Sequence, residues 1–156
     1  MAETKTARKS APGRNTSDKV WTDEERAAMK EHAKEMKRAA KRGADKAAGE
    51  ADLLEKLAEM PADDRAMAEK IHAIVKEHAP DLEPRTWYGM PAYAKEGKVL
   101  CFFTPAAKFK ERYASFGFNA VANLDDGNMW PTAWAVEKIG PKEAAASTAL
   151  IKQAVS

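Results

Sequence analysis

Twelve aromatic residues are spread so unevenly that the chain falls into two compositional halves. Trp21 alone precedes Trp87, and the other eleven lie between Trp87 and Trp134. The first half must therefore build its core from Ala, Leu, Ile and Met at helical spacing. The second reads as short apolar runs split by turn residues: TWYGMPAY, KEGK, VLCFF, RYASFGF, ANLDDGN and PTAWAV. Aromatic-rich runs of that length favour strands. Helices, then a meander of strands, then a closing helix make an α+β plan and not a βαβ plan.

In the first half, Thr22-Asp23-Glu24-Glu25 forms a capping box, and a helix is expected to run to about Arg42, where Gly43 stops it. Met29, Ala33, Met36 and Ala40 share an apolar stripe that needs a surface to dock on. Arg26, Lys30, Lys34, Lys37 and Lys41 are read as sharing the opposite, basic arc, edged by Glu31 and Glu35 at i,i+3 from Lys34 and Arg38. That edging favours a solvated charged face over a nucleic-acid surface. ADKAAGE (44–50) reads as a small-residue connector, helical in part. Leu53, Leu54, Leu57 and Met60 mark a second helix ended by Pro61, and Asp63 and Asp64 open a third. Met67, Ile71, Ile74, Val75 and His78 share one face of that third helix, and Ala79-Pro80 closes it.

In the second half, Glu96-Gly97 marks the tip of a hairpin joining Pro91–Ala94 to Val99–Phe103. The run Val99–Phe103 is apolar on both faces, which predicts a central strand. Tyr113–Phe118 and Trp130–Val136 are further strands, Asp125–Asn128 is a turn, and Lys142–Ala154 is the last helix. Gly89 and Pro91 read as the bend of a stiff aromatic frame.

Composition narrows the functional classes. The 156 residues carry 44% hydrophobic and 32% charged side chains with a net charge of +2, as a globular protein does. No run approaches the roughly 18 apolar residues of a membrane span. Residues 1–20 lack the apolar core of a secretory signal and read as a disordered basic tail. A lone cysteine, Cys101, cannot form an internal disulfide, which favours a reducing cytoplasm. Three parts are expected: a tail (1–20), a helical extension (21–49) and the main domain (50–156).

Chemistry-bearing motifs are scarce. Phosphate loops, dinucleotide fingerprints and nucleophile elbows are all missing, and no nucleophile–base pair can be assembled, so no enzyme is expected. Glu69-x-x-His72 has the helical spacing of carboxylate metal sites but occurs once; with Asp63 and Asp64 it would form an acidic edge able to hold iron weakly. On the helical wheel His72 is expected to point to solvent. Lys108, Lys110 and Arg112 alternate with Phe109 and Tyr113, separating charge from core on an expected strand. Trp87, Tyr88, Tyr93, Trp130 and Trp134 are candidates to line an aromatic ligand pocket.

Taken in order, a helix ending HAPDLEP (78–84), then YGMPAY (88–93), GKVL (97–100), a strand reading Lys…Gly-Phe and a final helix resemble the YdhG-like family, whose domain is labelled domain of unknown function 1801. The likeness runs from about Leu53 to Val155; the N-terminal helix and ANLDDGNMWPTAWAV (122–136) depart from it. The resemblance implies an antiparallel sheet packed against helices. Some members are described as frataxin-like iron chaperones, which implies acidic surface residues, here Asp63, Asp64, Glu69, Asp125 and Asp126. The expectation is a non-enzymatic binding protein in the manner of an iron chaperone, partnered by iron or an iron-accepting protein. The alternatives are a small-ligand or peptide binder using the aromatic pocket, and a nucleic-acid accessory protein acting through the basic helix.

Overall fold

The computed structural model describes residues 21–42 and 45–156, so the expected tail (1–20) and the helix stop at Gly43 lie outside the described residues. Among the described residues, four helices and five strands follow in the order α1 (Asp23–Arg42), α2 (Lys46–Glu59), α3 (Ala62–His78), β1 (Glu83–Trp87), β2 (Met90–Lys95), β3 (Lys98–Thr104), β4 (Ala114–Phe118), β5 (Ala133–Val136) and α4 (Pro141–Val155). The strands form one open antiparallel sheet in chain order, β1-β2-β3-β4-β5. The α+β plan with an N-terminal helix is therefore the observed one.

Local chemistry explains most boundaries. The Glu25 amide donates to Thr22 Oγ1 at 3.1 Å, the first half of the expected capping box. The stretch read as a partly helical connector is helical from Lys46, the start of α2. Asp45 accepts from the amides of Ala47 and Ala48 at 3.0 and 3.3 Å, and an Ala-rich run behind such an N-cap propagates as helix. Both hairpin loops have two residues, and all four of those residues sit at positive φ, as type I′ turns require: Tyr88 (52°) with Gly89 (75°), and Glu96 (51°) with Gly97 (81°).

The core lies between one sheet face and the helices. Leu53 and Leu57 of α2, Ile71 and Val75 of α3, and Ile151 of α4 meet Tyr93, Leu100, Phe103 and Phe116. β3 is central, as its apolar run predicts. The run is buried for a reason beyond two covered faces, however. Tyr93 pairs with Cys101 but Ala94 pairs with Val99, so Leu100 is the extra residue of a bulge and joins Cys101 in the core. The outer face is capped by Phe102, whose ring lies across Gly117; a Cβ there would sit 2.5 Å from it. Trp87 packs against the same ring at 5.1 Å.

α1 docks in an unexpected way. Met36 is 60% exposed and Met29 38%, whereas Ala28 is buried. The docking stripe is Ala28, Glu31, His32 and Glu35, about 100° round the helix from the methionines. One buried Ala methyl contributes on the order of 1 kcal/mol, so polar contacts must hold this helix.

Candidate functional site

Those contacts converge on the β1–β2 turn. Tyr88 is a bulky residue in the left-handed region, which is disfavoured unless its surroundings hold it there. The Glu35 carboxylate does so: it accepts from the Tyr88 and Gly89 amides at 2.7 Å each. Its side chain is only 9% exposed, a burial that those two charge-assisted bonds offset. His32 stacks on the Tyr88 ring at 3.9 Å between centroids, and its Nδ1 lies 3.6 Å from Glu35. Glu31 binds Lys108 at 3.0 Å, and this pair lies over Gly89, where an added Cβ would come within 1.8 Å of Glu31 Oε2. Lys56 also approaches Glu31, at 3.9 Å. Nearer the helix start, Glu24 pairs with Lys110. Each favours the other's charged form: the hydrogen bond lowers the carboxyl pKa and raises that of the ammonium.

Charge is thereby sorted across α1. The segment expected as a strand, Lys108–Tyr113, is a turn leading into β4, and its lysines are taken up by Glu31 and Glu24. Glu31 and Glu35 do not neutralise the basic arc of their own helix, because both turn inward.

A second cluster runs from the core at Tyr93 out to the surface at Lys76. His72 Nδ1 lies 2.8 Å from the Tyr93 hydroxyl, and its Nε2 lies 3.0 Å from Glu50 Oε1, which also accepts from Lys76 at 2.7 Å. His72 thus points inward, against the wheel-based expectation, because partners on α2 and β2 satisfy both ring nitrogens. Hydroxyl, imidazole and carboxylate stand in the order of a proton relay, but Tyr93 is 1% exposed. Burial drives the Tyr93 phenol pKa well above its ordinary value, with Cys101 and Glu50 adding to it; burial likewise drives the Cys101 thiol upward. Both groups are held neutral. The Glu50 carboxyl is lowered, first by Lys76 and then by His72.

The sequence-derived acidic edge is divided. Asp64 is buried and accepts from the amides of Ala106 and Ala107 at 3.2 and 3.1 Å, closing the loop after β3. His72 is committed as described, and Asp63 and Glu69 are exposed. Among the described residues, no group of three or more His, Cys, Asp or Glu side chains could hold a metal ion. No described helix is long and apolar enough to cross a membrane.

The five aromatic candidates also part company. Trp87 and Tyr88 meet edge to face at 5.1 Å beside the α1 clasp. Tyr93 lies in the core on the opposite face, because Trp87 pairs with Met90 and strand alternation then places Tyr93 inward. Trp130 walls a concavity of about 580 Å³ over Phe118 and Leu124. Trp134 lies in a different groove of about 490 Å³ between β5 and α4, with Phe116, Val136 and Leu150 as its apolar lining and Glu143 and Ser147 among its polar residues. β5 is an edge strand, and no described strand pairs with its free side.

A meander sheet, three core helices and a clasped fourth define an α+β protein with a groove at one sheet edge. No known family model, curated protein or solved structure matches the chain. The likeness of Tyr88–Tyr93 to the YdhG-like family therefore rests on the quoted residues alone.

Proposed function

We propose that this is a non-enzymatic binding module that takes an extended peptide along β5. The observation that carries the reading is the groove between the unpaired edge of β5 and helix α4. An edge strand offers a row of backbone donors and acceptors to an added strand. Trp134 and Val136 are half-buried and alternate with the exposed Ala133 and Ala135, and Trp134, Ala135 and Val136 all line the groove, so the groove-facing side chains of an added strand would reach apolar lining. The Glu50–His72–Tyr93 relay supports the non-enzymatic half, since its hydroxyl is enclosed. Among the described residues, the iron-carrying alternative has no gathered donor set to support it.

The test is a titration of extended, proline-free peptides with a central aromatic or branched residue, followed by backbone amide shifts. Signals of Ala133–Val136 and α4 should move while those of α1 stay in place. Trp134→Ala should weaken binding about tenfold, or about 1.4 kcal/mol, and Trp130→Ala should leave it unchanged. If no peptide shifts β5 at about 1 mM, equivalent to only about −4 kcal/mol, the reading is wrong.

A further inference from the structure

We propose that the outward arc of α1 is a docking surface for the phosphate backbone of double-stranded nucleic acid, bound without regard to sequence. Arg26, Lys30, Lys34 and Lys37 are exposed, and among the described residues none of them forms an ion pair. Their arc is opposite the docking stripe of Ala28, Glu31, His32 and Glu35. The two acids that edge the arc, Glu31 and Glu35, are spent on Lys108 and on the β1–β2 turn, which leaves Asp23 at the helix start as the acid beside it in α1. From Arg26 to Lys37 the helix rises about 16 Å, a span that faces several phosphates of a duplex carrying one charge per roughly 1.7 Å.

Charge asymmetry along the chain points the same way. Residues 1–42 hold twelve Lys and Arg against seven Asp and Glu, whereas residues 43–156 hold fourteen against seventeen. A positive N-terminal part on a negative body is the electrostatic footprint of a polyanion binder. The composition of the arc separates nucleic acid from an anionic membrane. An interfacial helix buries Trp, Phe or Leu beside its bases, and within α1 the large apolar side chains are only Met29 and Met36. Phosphate positioning by point-charge lysines needs no apolar face.

The experiment measures full-chain binding to a short duplex DNA of arbitrary sequence across a salt series. Four phosphate contacts from the arc alone give a slope of log K against log salt of about −3.6, equivalent to roughly a hundredfold loss between about 50 and about 200 mM. The exposed triple substitution Lys30→Gln, Lys34→Gln, Lys37→Gln should reduce that slope in magnitude by about 2.7 and scrambling the duplex should change nothing. A control pair at the β2–β3 turn, Lys95→Gln with Lys98→Gln, should keep the full slope. Circular dichroism and thermal unfolding check that the triple variant keeps its fold. Absence of duplex binding, an unchanged slope in the triple variant, or binding to anionic vesicles but not to duplex would each overturn the proposal.

Discussion

Glu35 and Gly89 act as a matched pair, one supplying the acceptor and the other the room. Without the Glu35 carboxylate, the Tyr88 and Gly89 amides lose partners at 2.7 Å and Tyr88 must hold positive φ unaided. Hydrogen bonds to charged groups contribute about 1.5–3 kcal/mol each, less where water can replace the acceptor. Glu35→Ala should therefore lower unfolding free energy by about 1–3 kcal/mol in urea denaturation and release α1 to proteolysis first. Gly89→Ala should reach the same state from the other side, because its Cβ would displace the Glu31–Lys108 pair and its φ is +75°. If α1 in either variant is cut no faster than in the parent protein, the clasp is not what holds it. Asp64 makes a similar case in the core. Asp64→Ala should destabilise the protein by about 1–3 kcal/mol by orphaning the Ala106 and Ala107 amides, and ferrous iron should bind parent and variant alike. A loss of iron binding confined to the variant would instead restore the metal reading of Asp64.

Elements were legible where their signals are local and obscure where their partners are distant. The capping box at Thr22, the break at Pro61 and the tip at Glu96-Gly97 each act within a few residues, and each appears where the sequence places it. Asp45 carried an equally local N-cap signal for α2 that a small-residue composition concealed. The docking face of α1 could not be read this way, because Glu35 meets residues 53 and 54 positions further along. A hydrophobic stripe was the natural expectation, yet two backbone amides of a strained turn take a carboxylate instead. His72 was misplaced for a related reason: the wheel records its angle but not Glu50 and Tyr93 waiting on other elements. Between β3 and β4, Gly117 is legible only in retrospect as the floor beneath Phe102. Gly117→Ala should destabilise the sheet by about 1–3 kcal/mol, and Phe102→Ala in the same chain should recover part of that loss in a double-mutant cycle. Strictly additive losses would show that the ring does not depend on the glycine.

For the whole molecule, the burial of Tyr93 and Cys101 and the pairing of Glu50 make stability depend on pH. Unfolding returns Cys101 and Tyr93 to water, where they titrate near about 8.5 and about 10, whereas burial holds both folded-state values higher. Above the unfolded values the unfolded chain binds fewer protons than the folded one, so stability falls as pH rises. Each group contributes up to about 1.4 kcal/mol of loss per pH unit until its folded value is reached. Glu50 has the opposite sign. Its carboxyl is lowered in the fold by Lys76 and His72, so its contribution is present above the ordinary carboxylate range and is lost as pH falls through the folded value. Urea midpoints should therefore decline on both sides of neutrality, with the alkaline decline beginning near pH 8.5 from the cysteine and steepening past about 10 from the tyrosine. Cys101→Ala leaves a small void and lowers the plateau, but it should remove the first part of the alkaline slope; Tyr93→Phe should remove the second part while orphaning His72 Nδ1. The slope isolates the linked protons from the packing losses that shift the whole curve. An alkaline slope unchanged in Cys101→Ala would mean that the thiol is reached by solvent and that the sheet between β2 and β3 opens more readily than its burial implies.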